Sequence, residues 1–120
     1  MVNYTDSAGN LQFGSGIAPA TSLTAVSAVS SGTAVDGGVC RLNHSMAVTT
    51  SAGVSAGVAQ LQGSLDGVNW FNMPATSNVT TSAASTTYLV TPPACPARFV
   101  RASITTIITG GTITAVVGSA

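Results

Sequence analysis

The chain has 120 residues, of which 45% are hydrophobic and only 5% charged, and its formal net charge is zero. An ordinary soluble domain carries roughly 25% charged residues. Three scattered arginines and no lysine make no patch that could neutralise phosphates or an anionic bilayer, which excludes nucleic acid and membrane surfaces as expected partners.

The first segment, Met1 to Ser22, contains Gly9, Gly14, Gly16 and Pro19 and shows no sustained periodicity. It is expected to be an extended N-terminal arm (1–22) ahead of a single β-sandwich domain (23–120) with one core. Tyr4 and Phe13 are its bulky side chains and its candidate interface anchors. The first six residues lack the basic region and apolar block of a secretory signal, so the expectation is a product made in the cytoplasm. No apolar run approaches the roughly 20 residues needed to span a bilayer as a helix.

From Leu23 the chain reads as short strands. Threonine and valine favour strands, glycine punctuates them, and the long-chain helix formers lysine and glutamate are absent. Leu23–Val29 is a weak first strand, followed by turn material at Ser31–Thr33 and Asp36–Gly38. Cys40, Leu42, His44, Met46 and Val48 then alternate with Arg41, Asn43, Ser45, Ala47 and Thr49. That period of two predicts one half-buried strand. Val58–Leu65, Trp70–Met73, Thr86–Val90, Arg98–Thr105 and Thr112–Val117 are the further predicted strands. Turn signals about every ten residues point to an all-β, antiparallel, jelly-roll-like sandwich of about eight strands.

The stretch Gly63-Ser64-Leu65-Asp66-Gly67-Val68-Asn69-Trp70-Phe71 holds the only tryptophan. A sialidase-type Asp box would have one more residue between Asp and Gly and a threonine before the tryptophan. The chain is also too short for the propeller that such boxes decorate. A hairpin explains the stretch better: Gly67 tolerates positive φ, Asp66 can accept amides of the turn, and Trp70 packs back over the sheet. Asn69, Trp70 and Asn72 would then form a candidate contact surface for sugar or protein. Arg98 and Arg101 are candidate interface residues, reading as a solvated strand edge or a local pair with Asp66, or else as a salt bridge between subunits.

No catalytic constellation emerges. His44 is the only histidine, flanked by core-type residues, and reads as a structural side chain. The aspartates Asp6, Asp36 and Asp66 sit in predicted turns or in the arm, where aspartate caps backbone amides. No Gly-x-Ser-x-Gly elbow and no phosphate loop with its lysine is present. Cys40 and Cys95 have no metal-ligand spacing and are expected as buried free thiols, a disulfide being the alternative. The chain is thus expected to be no enzyme and to hold no cofactor or metal.

Leu61-Gln62-Gly63-Ser64-Leu65-Asp66-Gly67-Val68-Asn69-Trp70-Phe71, followed by Ala97-Arg98-Phe99-Val100-Arg101, resembles the discoidin-type sandwich pattern. The same phrases, with the glycine- and threonine-rich strand Thr109–Thr114, are similar to small structural proteins of tailed bacteriophages. The likeness runs from Val58 to Val117. It implies a structural virion protein, a capsid decoration protein on the exterior of the shell, assembled in the host cytoplasm. Its implied partners are the major capsid protein and further copies of itself, as a homotrimer. The alternatives are a carbohydrate-binding sandwich of a phage tail or spike, using Trp70, Tyr88 or Asn69, and a tail-tube component.

Overall fold

The computed structural model describes residues 3–5, 11–13 and 18–120, with side chains from residue 18 onward. Two short strands, β1 (Asn3–Thr5) and β2 (Leu11–Phe13), pair antiparallel with Asn3 opposite Phe13. The side chains of Tyr4 and Phe13, the two expected anchors, lie outside the described residues, as does Asp6. The remaining strands are β3 (Ala20–Val26), β4 (Ser30–Ser31), β5 (Val35–Arg41), β6 (His44–Thr50), β7 (Ala56–Ser64) and β8 (Trp70–Asn72). After them come β9 (Asn78–Thr80), β10 (Thr87–Val90), β11 (Ala97–Thr109) and β12 (Ile113–Ser119).

These strands form two antiparallel sheets. One runs β10-β6-β12-β3; in the other, β11 and β7 are central, with β4 and β5 along one edge and β8 and β9 along the other. Counting each interrupted edge as one strand gives two four-stranded sheets joined by cross-overs, apart from the β7–β8 hairpin. That order is the eight-stranded jelly roll expected from the sequence.

The core sits between the sheets and follows from strand alternation. In β11, Val100, Ala102 and Ile104 face inward opposite Gly63, Leu61 and Ala59 of β7. Met46 and Val48 of β6 and Ile113, Ala115 and Val117 of β12 close the core from the other sheet. Small side chains such as Ala59, Ala97, Ala102 and Ala115 let the sheets approach, and Leu61, Met46, Ile104 and Ile113 fill the remaining volume. The turn after β11 needs glycine: Gly110 has φ +87, and a β-carbon there would strike the Gly53 carbonyl across the neighbouring loop.

The alternating run from Cys40 to Thr49 is not one strand. β5 belongs to the β11–β7 sheet and β6 to its partner, and the chain changes sheet at Leu42–Asn43. Asn43 exchanges backbone hydrogen bonds with Ala120, and the Leu42 carbonyl accepts from the Cys95 amide. Leu42 is left 53% exposed, so the apolar alternation holds only from His44 onward. Both cysteines are free, but neither is fully buried: Cys40 is exposed on the edge strand β5, and Cys95 is half-buried against the core.

His44 is buried where that cross-over meets the end of β12. Its Nε2 lies 2.9 Å from the Arg41 carbonyl and 3.0 Å from the Cys95 carbonyl. Carbonyls only accept, so Nε2 carries the proton, and Nδ1 faces the Ser119 hydroxyl at 2.7 Å. Both ring nitrogens are therefore spent tying β5, the loop before β11 and β12 together. His44→Leu removes these bonds from a buried site and should destabilise the fold by about 1–3 kcal/mol, measured by denaturant unfolding.

Candidate functional site

The site begins with the β7–β8 hairpin. Ser64 is fully buried; its Oγ accepts the Gly67 amide at 2.9 Å and donates to Asp66 Oδ1 at 3.0 Å. Asp66 Oδ1 accepts the amides of Val68 and Asn69, both at 2.8 Å, and Oδ2 accepts Asn69 Nδ2 at 2.8 Å. These donors hold the Asp66 carboxyl far below its usual range, the Asn69 amide contributing most. Gly67, at φ +78, lies against the Phe99 ring. The expected hairpin is present, and the aspartate is consumed by its own turn.

The turn fixes register, and register builds the face. Trp70 lies opposite Ser64, and Asn72 opposite Gln62. From the other side, Arg101 of β11 lies opposite Gln62. A row Asn72–Gln62–Arg101 thus crosses three strands on the outer face of the sheet. Arg101 Nε donates to Gln62 Oε1 at 2.9 Å, and Gln62 Nε2 donates to Asn72 Oδ1 at 3.0 Å. The Arg101 guanidinium stands over the Trp70 ring, 4.1 Å from its centroid, a cation–π contact. Partial burial lowers the Arg101 pKa from its ordinary value.

Arg98 takes a different partner from the one expected. It pairs with Asp36 of β5, not Asp66, through Nε at 2.9 Å and a second bond from Nη2 at 3.1 Å. The hydrogen bond from Arg98 is the main cause that holds the Asp36 carboxyl below its usual range, with the Gly38 amide adding to it. The Arg98 guanidinium also stands 5.1 Å from the Phe99 ring centroid. Both partners are exposed, so the pair is a weak surface bridge.

The structure therefore brings Trp70, Asn72 and Arg101 together, sets Arg98 at the neighbouring edge and uses Asn69 as a brace of the turn. Gln62, the residue that links the row, was not singled out in the sequence. Its signal was there: it alternates with Leu61 and lies symmetrically across the hairpin from Asn72.

The opposite sheet presents a different outer face. Leu89, Ala47, Val116 and Thr21 form one row across β10, β6, β12 and β3, and Thr87, Thr49 and Thr114 form the next. Thr49 and Thr87 are joined through their hydroxyls at 3.2 Å. Leu89 is 71% exposed. No charged side chain lies on these strands, whereas Asp36, Arg41, Asp66, Arg98 and Arg101 all belong to the strands and hairpin of the other sheet. At one end of the sandwich an open groove of about 410 Å³ is lined by Pro19, Asn43, His44, Thr91, Pro92 and Ser119, among others.

Among the described residues, no group of three or more His, Cys, Asp or Glu side chains could hold a metal ion. No helix among them is long and apolar enough to cross a membrane. Compared with models of known protein families and with curated protein sequences, the chain matches none.

Two outcomes follow from the hairpin. Gly67→Ala should cost about 1–2 kcal/mol in unfolding free energy through its left-handed backbone alone, since the added methyl would meet the Phe99 ring at ordinary contact distance. Asp36 and Asp66 have folded-state pKa values below their ordinary 3.8, so their stabilisation is complete above that pH and is lost as pH falls towards the folded values. Thermal melts should show Asp66→Asn less stable than wild type at neutral pH, with the gap closing below about pH 4.

Proposed function

We propose that this chain is a structural virion protein of a tailed bacteriophage, a decoration protein that binds the outside of the capsid and stabilises the shell. The observation that carries the reading is the segregation of charge between the two sheets. The outer face of β10-β6-β12-β3 is a row-by-row array of threonine, alanine, valine and leucine with no charged side chain. A sheet face of this kind offers nothing to keep it apart from another surface, and monomers normally guard such faces with charge.

In this reading, copies pack through that face into a small ring, a trimer by the resemblance to phage structural proteins, and the N-terminal segment reaches a neighbouring subunit. Bound copies favour the assembled shell over its dissociated parts by mass action. The carbohydrate-binding reading is less favoured, because sugar stacking needs an open aromatic face and Arg101 already covers one face of Trp70. The discoidin- and phage-like phrases Leu61–Phe71 and Ala97–Arg101 support the decoration reading; they lie side by side where β7 pairs with β11, Phe99 opposite Ser64.

The test is sedimentation, alone and with purified shells of the parent phage. Wild-type protein should sediment as a small oligomer and should pellet with shells. Leu89→Asp together with Val116→Asp, both outward-facing, should leave the fold intact by circular dichroism and yield monomers. A wild-type protein that stays monomeric at high concentration and does not pellet with shells would reject the reading.

A further inference from the structure

We infer that the outer face of β11-β7-β8 is a docking surface for a protein partner that presents a carboxylate side chain to Arg101. The argument starts from which hydrogen-bonding groups remain unspent. Arginine can only donate, so Gln62 must turn its oxygen to Arg101. Its amide nitrogen therefore faces Asn72, which must answer with its own oxygen. The Asn72 nitrogen is then left pointing away from the row. At the other end, none of the hydrogen bonds among the described residues uses the terminal nitrogens of Arg101. The row is thus polarised, with N–H donors at both of its ends.

Among the described residues the charge on the row is unanswered as well. Their two carboxylates are occupied: Asp36 by Arg98 and Asp66 by its own turn. Among the described residues the only ion pair is that between Arg98 and Asp36. A guanidinium seated over an indole, with neither terminal nitrogen hydrogen-bonded among the described residues, can meet a carboxylate in two-point geometry. Among the described residues the chain has no spare carboxylate side chain to answer Arg101.

The surroundings favour a protein over an acidic sugar. Arg101 covers one face of the Trp70 ring, a face on which a pyranose ring could otherwise stack. The neighbouring turn exposes Leu65 and Val68, at 62% and 77%, and gives the polar row an apolar flank. A central Trp–Arg pair beside exposed aliphatic side chains has the composition of a protein-interface hot spot. The inference does not depend on the phage reading: shell binding may fail while this surface still takes acidic partners.

Trp70 is the only tryptophan, so its fluorescence reports on this face alone. The full chain would be titrated with a peptide of alternating glutamate and alanine, with the same peptide carrying glutamine, and with oligogalacturonate. Fluorescence and the Arg101 Nε–H resonance would be followed. The glutamate peptide should shift both signals and the glutamine peptide neither. Arg101→Gln should weaken binding about tenfold or more. Arg101→Lys, which keeps the charge but loses the planar fork, should fall between, and Arg98→Gln should bind as wild type. Circular dichroism would establish that each variant is folded. No response to the glutamate peptide, equal binding by Arg101→Gln, or tighter binding of oligogalacturonate than of peptide would each overturn the inference.

Discussion

The pairing of β7 with β11 is the constraint on which the rest of the molecule depends. It is the most extensive pairing in the fold, running from Phe99 opposite Ser64 to Thr109 opposite Ala56. Its inward residues, Leu61, Ala59, Val100, Ala102 and Ile104, form the middle of the core. Its outward residues, Gln62 and Arg101, form the middle of the polar row. A strand has a period of two, so a slip of one residue would exchange those sets and bury a guanidinium where Ala102 now sits. The core therefore enforces the surface: burying Leu61 and Ala102 is what presents Gln62 to Arg101.

The hairpin serves the same register from the other side. Ser64 and Asp66 satisfy the turn amides with their own side chains, so the turn closes without borrowing groups from the sheet. Trp70 and Asn72 then emerge at fixed positions opposite Ser64 and Gln62. An aspartate that looked in the sequence like a chemical group is a piece of backbone scaffolding. The two arginines of β11 diverge for a related reason. The pairing of β11 with β5 shifts register between Ala97 and Phe99, and Arg98 finds Asp36 there, while Arg101 lies farther along over Trp70.

Much of the fold was legible because the deciding signals are local. Alternation in Arg98–Thr105 and Thr112–Val117, the Asp66-Gly67 turn and the glycines at 110–111 each act over a few residues, and each corresponds to a strand or turn of the structure. What was not legible depended on distance. The apolar alternation through Cys40, Leu42 and His44 continues across a change of sheet, because both sheets impose the same period and the sequence carries no mark of which sheet a strand joins. The partner of Arg98 lies 62 positions away, and nothing local distinguishes Asp36 from Asp66 as its acceptor. Gln62 escaped attention because an exposed glutamine is ordinary until register sets it between an arginine and an asparagine.

The division of charge between the two faces has a consequence for how solution conditions act on the molecule. Contacts made through Arg101 are Coulombic and weaken as dissolved ions screen them. Contacts made through the threonine, valine and leucine rows have no charge to screen, and excluded ions such as sulfate strengthen them. An excluded salt such as sulfate therefore acts in opposite directions on the two faces of one small sandwich, screening its contact with acidic neighbours while it presses the uncharged rows against other surfaces.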